Sequence, residues 1–193
     1  TLVETAPGTA QLVLALCDYR RNPWGDYLEI NIGFLARPVG APDDVVGSFV
    51  YRMPVDQAFT CEAGNRVMGF PKTVEDLRWE REGDRVAVSM SVDGTVALGL
   101  SFTVADDVDP PGRIDTVSYS YLDGVAHQTP LGMDLGTQVL DPSTVRIELG
   151  PGVVGDELRS LGLPAAPDVA TWGTGLAATF GAPTPVEPPP PSA

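Results

Sequence analysis

Lys72 is the only lysine in the 193-residue chain, and it follows the apolar segment Val67-Met68-Gly69-Phe70-Pro71. A primary amine in apolar surroundings is suited to attack a carbonyl carbon, because loss of water disfavours the charged ammonium form. The scarcity of lysine beside eleven arginines is also what a GC-rich coding sequence produces, and such a lysine can instead extend to solvent from a buried strand end. The sequence context therefore indicates carbonyl chemistry and leaves a structural role open.

A second ionisable group lies on an alternating segment, Tyr27 to Phe34. One face carries only apolar side chains, and the other carries Tyr27, Glu29, Asn31 and Gly33, because successive side chains of a strand point to opposite faces. In an ordinary sheet Glu29 would face water. In a sheet that encloses a cavity, the same polar face would line the hollow.

The first 150 residues consist mainly of short alternating or β-branched segments separated by Gly, Pro and Asp. This pattern predicts a mainly β protein, an antiparallel closed or cone-like β-barrel with an internal pocket. The predicted strands are Gln11–Cys17, Tyr27–Leu35, Val46–Met53, Arg85–Val92, Thr95–Val104, Asp115–Leu122 and Thr144–Leu149.

Two short C-terminal helices are predicted. The first covers Val154–Leu161 and ends at Gly162, a suitable C-cap. The second begins after the N-cap Asp168 and ends before Gly181. Its apolar residues recur at helical spacing, namely Val169, Trp172, Leu176, Ala177 and Phe180.

The end of the chain has a different composition. From Pro183 to Ala193 it reads PTPVEPPPPSA, which carries too many prolines for a regular sheet or helix. We expect one domain over residues 1–182 and a proline-rich disordered tail over 183–193. Binding of the tail to a proline-recognising partner is a further alternative.

The chain is strongly acidic, with a formal net charge of -14. Nucleic acids and anionic membrane surfaces repel such a protein, so neither is expected as a partner. Cys17 and Cys61 have no metal-binding or redox spacing and are expected to be free thiols, and no signal peptide or transmembrane run is visible. These features predict a cytoplasmic protein.

The segments Tyr27-Leu28-Glu29 and Gly64-Asn65-Arg66-Val67-Met68-Gly69-Phe70-Pro71-Lys72, followed by the alternating strands 85–92 and 95–104, resemble the acetoacetate decarboxylase superfamily. The resemblance extends from about Gln11 to Phe180 and includes the segment from Asp156 to Pro164. It implies a cone-like barrel in which Lys72 forms a Schiff base with a keto substrate and Glu29 faces it. It also implies a small-molecule carbonyl substrate, no metal, no organic cofactor and a homo-oligomer.

Several further site residues are proposed on this basis. Arg66 would tune the amine or bind the substrate acid, and Tyr27, Phe70 and Met68 would line the substrate site. The chain departs from the family pattern at Thr73, where a second lysine is common, at Asn65, where arginine is usual, and near Leu14, where a second glutamate is expected. Arg20 and Arg21 are candidates to replace a substrate-binding arginine for which the N-terminal sequence offers no match.

His127 is the only histidine and has no ligand-like neighbours in sequence, so a structural or surface role is expected. Two functions remain open at this point. The first is a lysine-dependent, lyase-type enzyme for a keto acid, with decarboxylation as the default and aldol or dehydration chemistry as variants. The second is a non-covalent pocket for a hydrophobic small molecule, a binding protein or cyclase in which Lys72 is not a nucleophile.

Overall fold

The structure is a computed structural model that describes residues 1–20, 23, 25–105 and 107–187. It contains helices α1 (Ala58–Met68) and α2 (Val153–Ser160) and a 3-10 turn at Pro142–Thr144. The strands are β1 (Glu4–Ala6), β2 (Thr9–Ala10), β3 (Leu12–Tyr19), β4 (Tyr27–Ala36), β5 (Gly47–Val55), β6 (Lys72–Val74), β7 (Asp76–Glu82), β8 (Arg85–Val92), β9 (Thr95–Thr103), β10 (Gly112–Leu122), β11 (Val125–Leu140), β12 (Arg146–Leu149), β13 (Ala170–Phe180) and β14 (Thr184–Pro185).

Two large sheets make up most of the protein. The first has the strand order β13-β11-β10-β5-β4-β3, with β6 added beside β5 and β14 beside β11. The second has the order β12-β9-β8-β7. Within the described residues neither sheet closes on itself, so the prediction of a closed barrel is wrong, whereas the mainly β composition is confirmed. In the described part of the chain, the strands at the ends of each order have a partner on one side only, and β6 and β14 each pair with a single strand.

The main core lies between these sheets. Strand β4 contributes Ile30 and Ile32 to a cluster that includes Val86, Leu98 and Leu158. The alternation of β4 therefore places its apolar side chains against the second sheet, as predicted. Its polar side chains lie on the opposite face of the large sheet, which we call the site face.

Helix α1 was not predicted from the sequence. It contacts β5, β6 and β10, and its carboxyl end reaches the site face, where the hydroxyl of Ser120 donates a hydrogen bond to the carbonyl oxygen of Met68, at 2.6 Å. The helix ends at Gly69, whose φ of 65° is left-handed. A Cβ there would lie 2.3 Å from the carbonyl oxygen of Tyr121, so only glycine fits this close approach.

The C-terminal region agrees only in part with the sequence prediction. Helix α2 confirms the first predicted helix. The second is wrong, because residues 170–180 form β13, which pairs antiparallel with β11. Cross-strand pairing with this long neighbour outweighs the helical spacing of the apolar residues, and Gly175, with a φ of 67°, adjoins the register shift in the pairing.

The start of the predicted tail belongs to the sheet. Thr184 and Pro185 lie opposite Gln128 and His127 of β11. Residues 188–193 lie outside the described residues, so disorder of the tail stays a prediction there. Among the described residues, no helix combines the length and the apolar character needed to cross a bilayer.

Candidate active site

The site is built around a buried ion pair on the site face. The Nζ of Lys72 donates a hydrogen bond to Oε2 of Glu29 at 2.6 Å, and the two side chains are only 8% and 6% exposed. Glu29 on β4 lies opposite Val55 of β5, and Lys72 on β6 lies opposite Met53 of the same strand. The two side chains therefore reach towards each other from strands on either side of β5.

Helix α1 fixes how Lys72 enters this pair. A Cβ at Gly64 would lie 2.7 Å from both Cδ and Cε of Lys72, so the missing side chain of this glycine makes room for the lysine chain. The next residue, Asn65, holds the lysine backbone. Its Oδ1 accepts from the Lys72 N–H at 2.8 Å, and its Nδ2 donates to the Lys72 carbonyl oxygen at 3.1 Å.

Three ionisable side chains that are uncharged at neutral pH lie beside the ion pair. The Tyr27 ring centre is 5.7 Å from Nζ of Lys72, and the ring stacks on Tyr19 with centroids 4.6 Å apart. Cys17 lies directly opposite Glu29 in the β3–β4 ladder. Burial, and secondly the charge of Glu29, raise the pKa of Cys17 to about 12, and burial is also the main cause that raises the pKa of both tyrosines. These groups are therefore uncharged at neutral pH.

An apolar cluster supports the lysine from the other side. Phe70 is 2% exposed and packs with Val50, Met53 and Met68. Its ring meets that of Phe180 edge to face at 6.2 Å. Phe70 and Met68 thus lie next to β6, the strand that carries Lys72, and their contact with a substrate stays a prediction.

The two candidate arginines lie away from the amine. Arg66 is on the outer face of α1, with a side chain 78% exposed and paired with Glu62 at 3.0 Å. Arg20 is 64% exposed and pairs with Asp18 at 2.6 Å. The structure therefore does not bring either guanidinium to Lys72, and Arg21 lies outside the described residues.

The remaining sequence-based expectations concern His127 and metals. Nδ1 of His127 lies 3.0 Å from the carbonyl oxygen of Val125, which is a local backbone contact as expected. In the part of the chain that the structure describes, no cluster of three His, Cys, Asp or Glu side chains could hold a metal ion. Cys17 and Cys61 are both free thiols, as predicted.

Two surface depressions of about 370 and 430 Å³ occur on the described residues. The first lies between the β8–β9 hairpin and the start of α2, and the second lies beside Gln138 and Asp141. Neither is lined by Lys72 or Glu29. An internal pocket at the lysine stays a prediction.

Sequence reasoning missed four residues of the site, namely Cys17, Tyr19, Gly64 and Asn65. Cys17 could have been found from the alternation of the first predicted strand, Gln11–Cys17, whereas Tyr19 lies two residues beyond its predicted end, on the same face of β3. The role of Gly64 and Asn65 depends on α1, whose residues carry weak helical signals.

Comparison with known proteins identifies the family and the fold. The sequence model of the family described as acetoacetate decarboxylase matches residues 4–163. A search of curated proteins found no match.

Three solved structures show the same fold. Acetoacetate decarboxylase from Legionella pneumophila is 16% identical with a TM-score of 0.62, and the match covers 84% of this chain and 68% of that one. The enduracididine biosynthesis enzyme MppR is 16% identical with a TM-score of 0.56, over 84% of this chain and 65% of that one. An acetoacetate decarboxylase-like enzyme from Sphingomonas wittichii is 16% identical with a TM-score of 0.52, over 87% of this chain and 72% of that one. Since the family match spans most of the sequence, the chain belongs to the acetoacetate decarboxylase family.

Proposed function

We propose that this protein is a Schiff-base enzyme in which Lys72 attacks the carbonyl carbon of a keto acid or related carbonyl compound. The observation that carries the proposal is the buried hydrogen bond between the only lysine amine and Glu29, at 2.6 Å. Membership of the acetoacetate decarboxylase family supports the same chemistry. MppR, a protein of the same fold, has been solved in complex with pyruvate.

The geometry suits the first steps of such a reaction. The ammonium of Lys72 has to lose a proton before it can attack, and the adjacent Glu29 carboxylate is the acceptor. Nζ then bonds to the carbonyl carbon, and the carbonyl oxygen leaves as water after it has been protonated. The product is an iminium whose carbon draws electrons more strongly than a ketone does.

Decarboxylation is the default second step. When the substrate carboxylate is β to the iminium carbon, the bond to carbon dioxide breaks and its electron pair moves through the new double bond onto nitrogen. The resulting enamine takes a proton on carbon, and hydrolysis of the iminium then frees Lys72. An aldol reaction uses the same enamine with an aldehyde in place of the proton, so both outcomes are compatible with one lysine.

Reductive trapping tests the proposal. The protein is incubated with pyruvate or acetoacetate and borohydride, which reduces an iminium to a stable secondary amine, and the intact mass and the modified peptide are then measured. We expect one adduct on Lys72. Lys72 is the only side chain in the sequence that carries a primary amine, so any other adduct would have to form at an amino terminus.

Two variants make the test specific. Lys72→Met should lose the adduct. Arg66→Gln removes an exposed cation of the neighbouring helix and should keep it. An adduct confined to the amino terminus would contradict the proposal.

A non-covalent pocket is the second candidate. It is favoured by the closed ion pair, since an amine held by a carboxylate can be purely structural, and by Thr73, which supplies no second cation beside Lys72. This candidate predicts that keto compounds bind by equilibrium dialysis while Lys72 remains unlabelled after borohydride. Equal dissociation constants in the wild type and in a Lys72→Met variant would support it.

A further inference from the structure

Asn31 is a polar residue of the site face whose side-chain oxygen has no hydrogen-bonding partner among the described residues. It follows Glu29 by two positions on β4, and the ladders to β3 and β5 are regular between these residues, so both side chains point to the same face. Its Oδ1 is buried and accepts no hydrogen bond from the described residues. Buried amide groups are almost always hydrogen-bonded, so this one calls for a partner.

The next residue on the same face as Asn31 is Gly33, which carries no side chain. A Cβ at Gly33 would lie 3.6 Å from Oδ1 of Asn31 and 2.6 Å from Oγ of Ser48. Any larger residue at Gly33 would collide with Ser48 and with the carbonyl oxygen of Phe49, 2.8 Å away, so no side chain from this position covers the amide oxygen of Asn31. The register between β4 and β5 also shifts between Ile32 and Gly33, so the regular ladder ends just after Asn31.

The distance from the ion pair sets what could bind there. Residues two apart on a strand are separated by about 7 Å. A hydrogen bond to Asn31 takes up about 3 Å of that spacing. The remaining distance suits a substrate whose polar group is two or three bonds from the carbon attached to Nζ of Lys72.

We propose that Asn31 is a specificity-determining residue that hydrogen-bonds a neutral amide or hydroxyl group on the substrate, two or three bonds from the carbonyl carbon. A carboxamide suits an amide partner because it offers two donors and an acceptor. The inference rests on the proposed function and deepens it: the substrate is a keto acid with a polar, uncharged side chain. Unsubstituted or purely aliphatic keto acids would leave Asn31 unpaired in a buried position.

A pair of keto acids of similar shape tests this. One is 2-oxosuccinamate, which carries a terminal amide, and the other is 4-methyl-2-oxopentanoate, in which methyl groups replace the amide atoms. The initial rate of borohydride-dependent labelling of Lys72 is measured for each acid over a range of concentrations. In the wild type we expect the amide acid to be preferred by about tenfold or more, since losing one buried hydrogen bond costs roughly that factor.

Asn31→Leu is the diagnostic variant because it keeps the shape of the side chain and removes its polar atoms. The preference should fall to about equality or reverse. Thr129→Val is the matched control, since Thr129 on β11 is fully buried and its hydroxyl also lacks a partner among the described residues. That variant should keep the wild-type preference. The urea midpoint of each variant shows whether it is folded.

The outcomes separate the inference from the proposed function. If Lys72 is labelled but the preference is absent, or is unchanged in Asn31→Leu, the inference is overturned and a buried water is the simpler partner for Asn31. If neither acid nor pyruvate labels Lys72, the proposed function fails. Equilibrium dialysis of the same two acids then decides the inference: a preference that Asn31→Leu removes supports it, and equal binding overturns it.

Discussion

The two faces of strand β4 differ in what stabilises them. On one face, Ile30 and Ile32 are fully buried in the core between the sheets. On the other, Glu29, which directly precedes Ile30, is also buried but carries a charge that Lys72 must neutralise. Each buried apolar side chain stabilises the core face by itself, whereas Glu29 and Lys72 stabilise the site face only as a pair.

The largest expected effect comes from breaking the ion pair between Lys72 and Glu29. Lys72→Met should lower the free energy of unfolding by about 3–5 kcal/mol, because it leaves the Glu29 carboxylate buried without a partner. Adding Glu29→Gln to this variant should recover a large part of the loss. Urea denaturation of both single variants and of the double variant measures the coupling. Additive losses would show that the pair contributes nothing as a unit.

The apolar face should behave in the opposite way. Ile32→Ala should cost about 2–5 kcal/mol through lost burial and the cavity that remains. No second substitution on the site face should restore it, and the folded fraction should still be labelled at Lys72. A variant that folds normally but no longer traps pyruvate would show that the two faces are coupled.

A smaller effect is expected where α1 meets the lysine. Gly64→Ala should slow reductive labelling of Lys72 by about 100-fold, since the added methyl displaces the side chain and an error of about 1 Å can cost that much. Alanine is the better helix former, so stability alone would predict the reverse. Gly112→Ala is the matched control, because a Cβ there meets nothing within 4 Å. Equal labelling rates in the two variants would remove Gly64 from the site.

The smallest effect concerns pH. Burial raises the pKa of Cys17 to about 12, whereas the reference pKa of the thiol, which applies to the unfolded chain, is 9.0. The thiol therefore loses its proton less readily in the folded protein. The native thiol adds no pH dependence below about 9, and stability should fall as the pH rises from 9 towards 12. Urea midpoints between pH 8 and 11 should decline less steeply in Cys17→Ala than in the wild type. Parallel slopes would contradict the buried position of this thiol.

The sequence predicted the elements whose pattern is local. Tyr27–Leu35 was predicted and Tyr27–Ala36 is observed, because strict alternation identifies a half-buried strand without knowledge of its neighbours. Residues 170–180 were mistaken for a helix because their apolar spacing fits one, and the long partner strand β11 that decides the matter was not recognised. The prediction of a closed barrel was wrong for a related reason, because the pattern of each strand does not show whether the sheet closes.

The site was predictable to a similar degree. The facing of Lys72 and Glu29, 43 residues apart, came from the family resemblance and depends on pairing of both strands with β5. The expected role of Arg66 depended on where its side chain points. That direction was set by α1, an element without a strong sequence signal, and the helix turns Arg66 outward to Glu62.

The two hydrogen bonds between the Asn65 side chain and the backbone of Lys72 link the order of a helix end to the position of the lysine. The carboxamide belongs to the last turns of a helix, where fraying normally begins, yet it holds both the N–H and the carbonyl of the residue that carries the amine. Unwinding this helix end therefore removes two hydrogen bonds from the peptide groups of Lys72. Local order at this helix terminus and the position of the only lysine amine are thus linked.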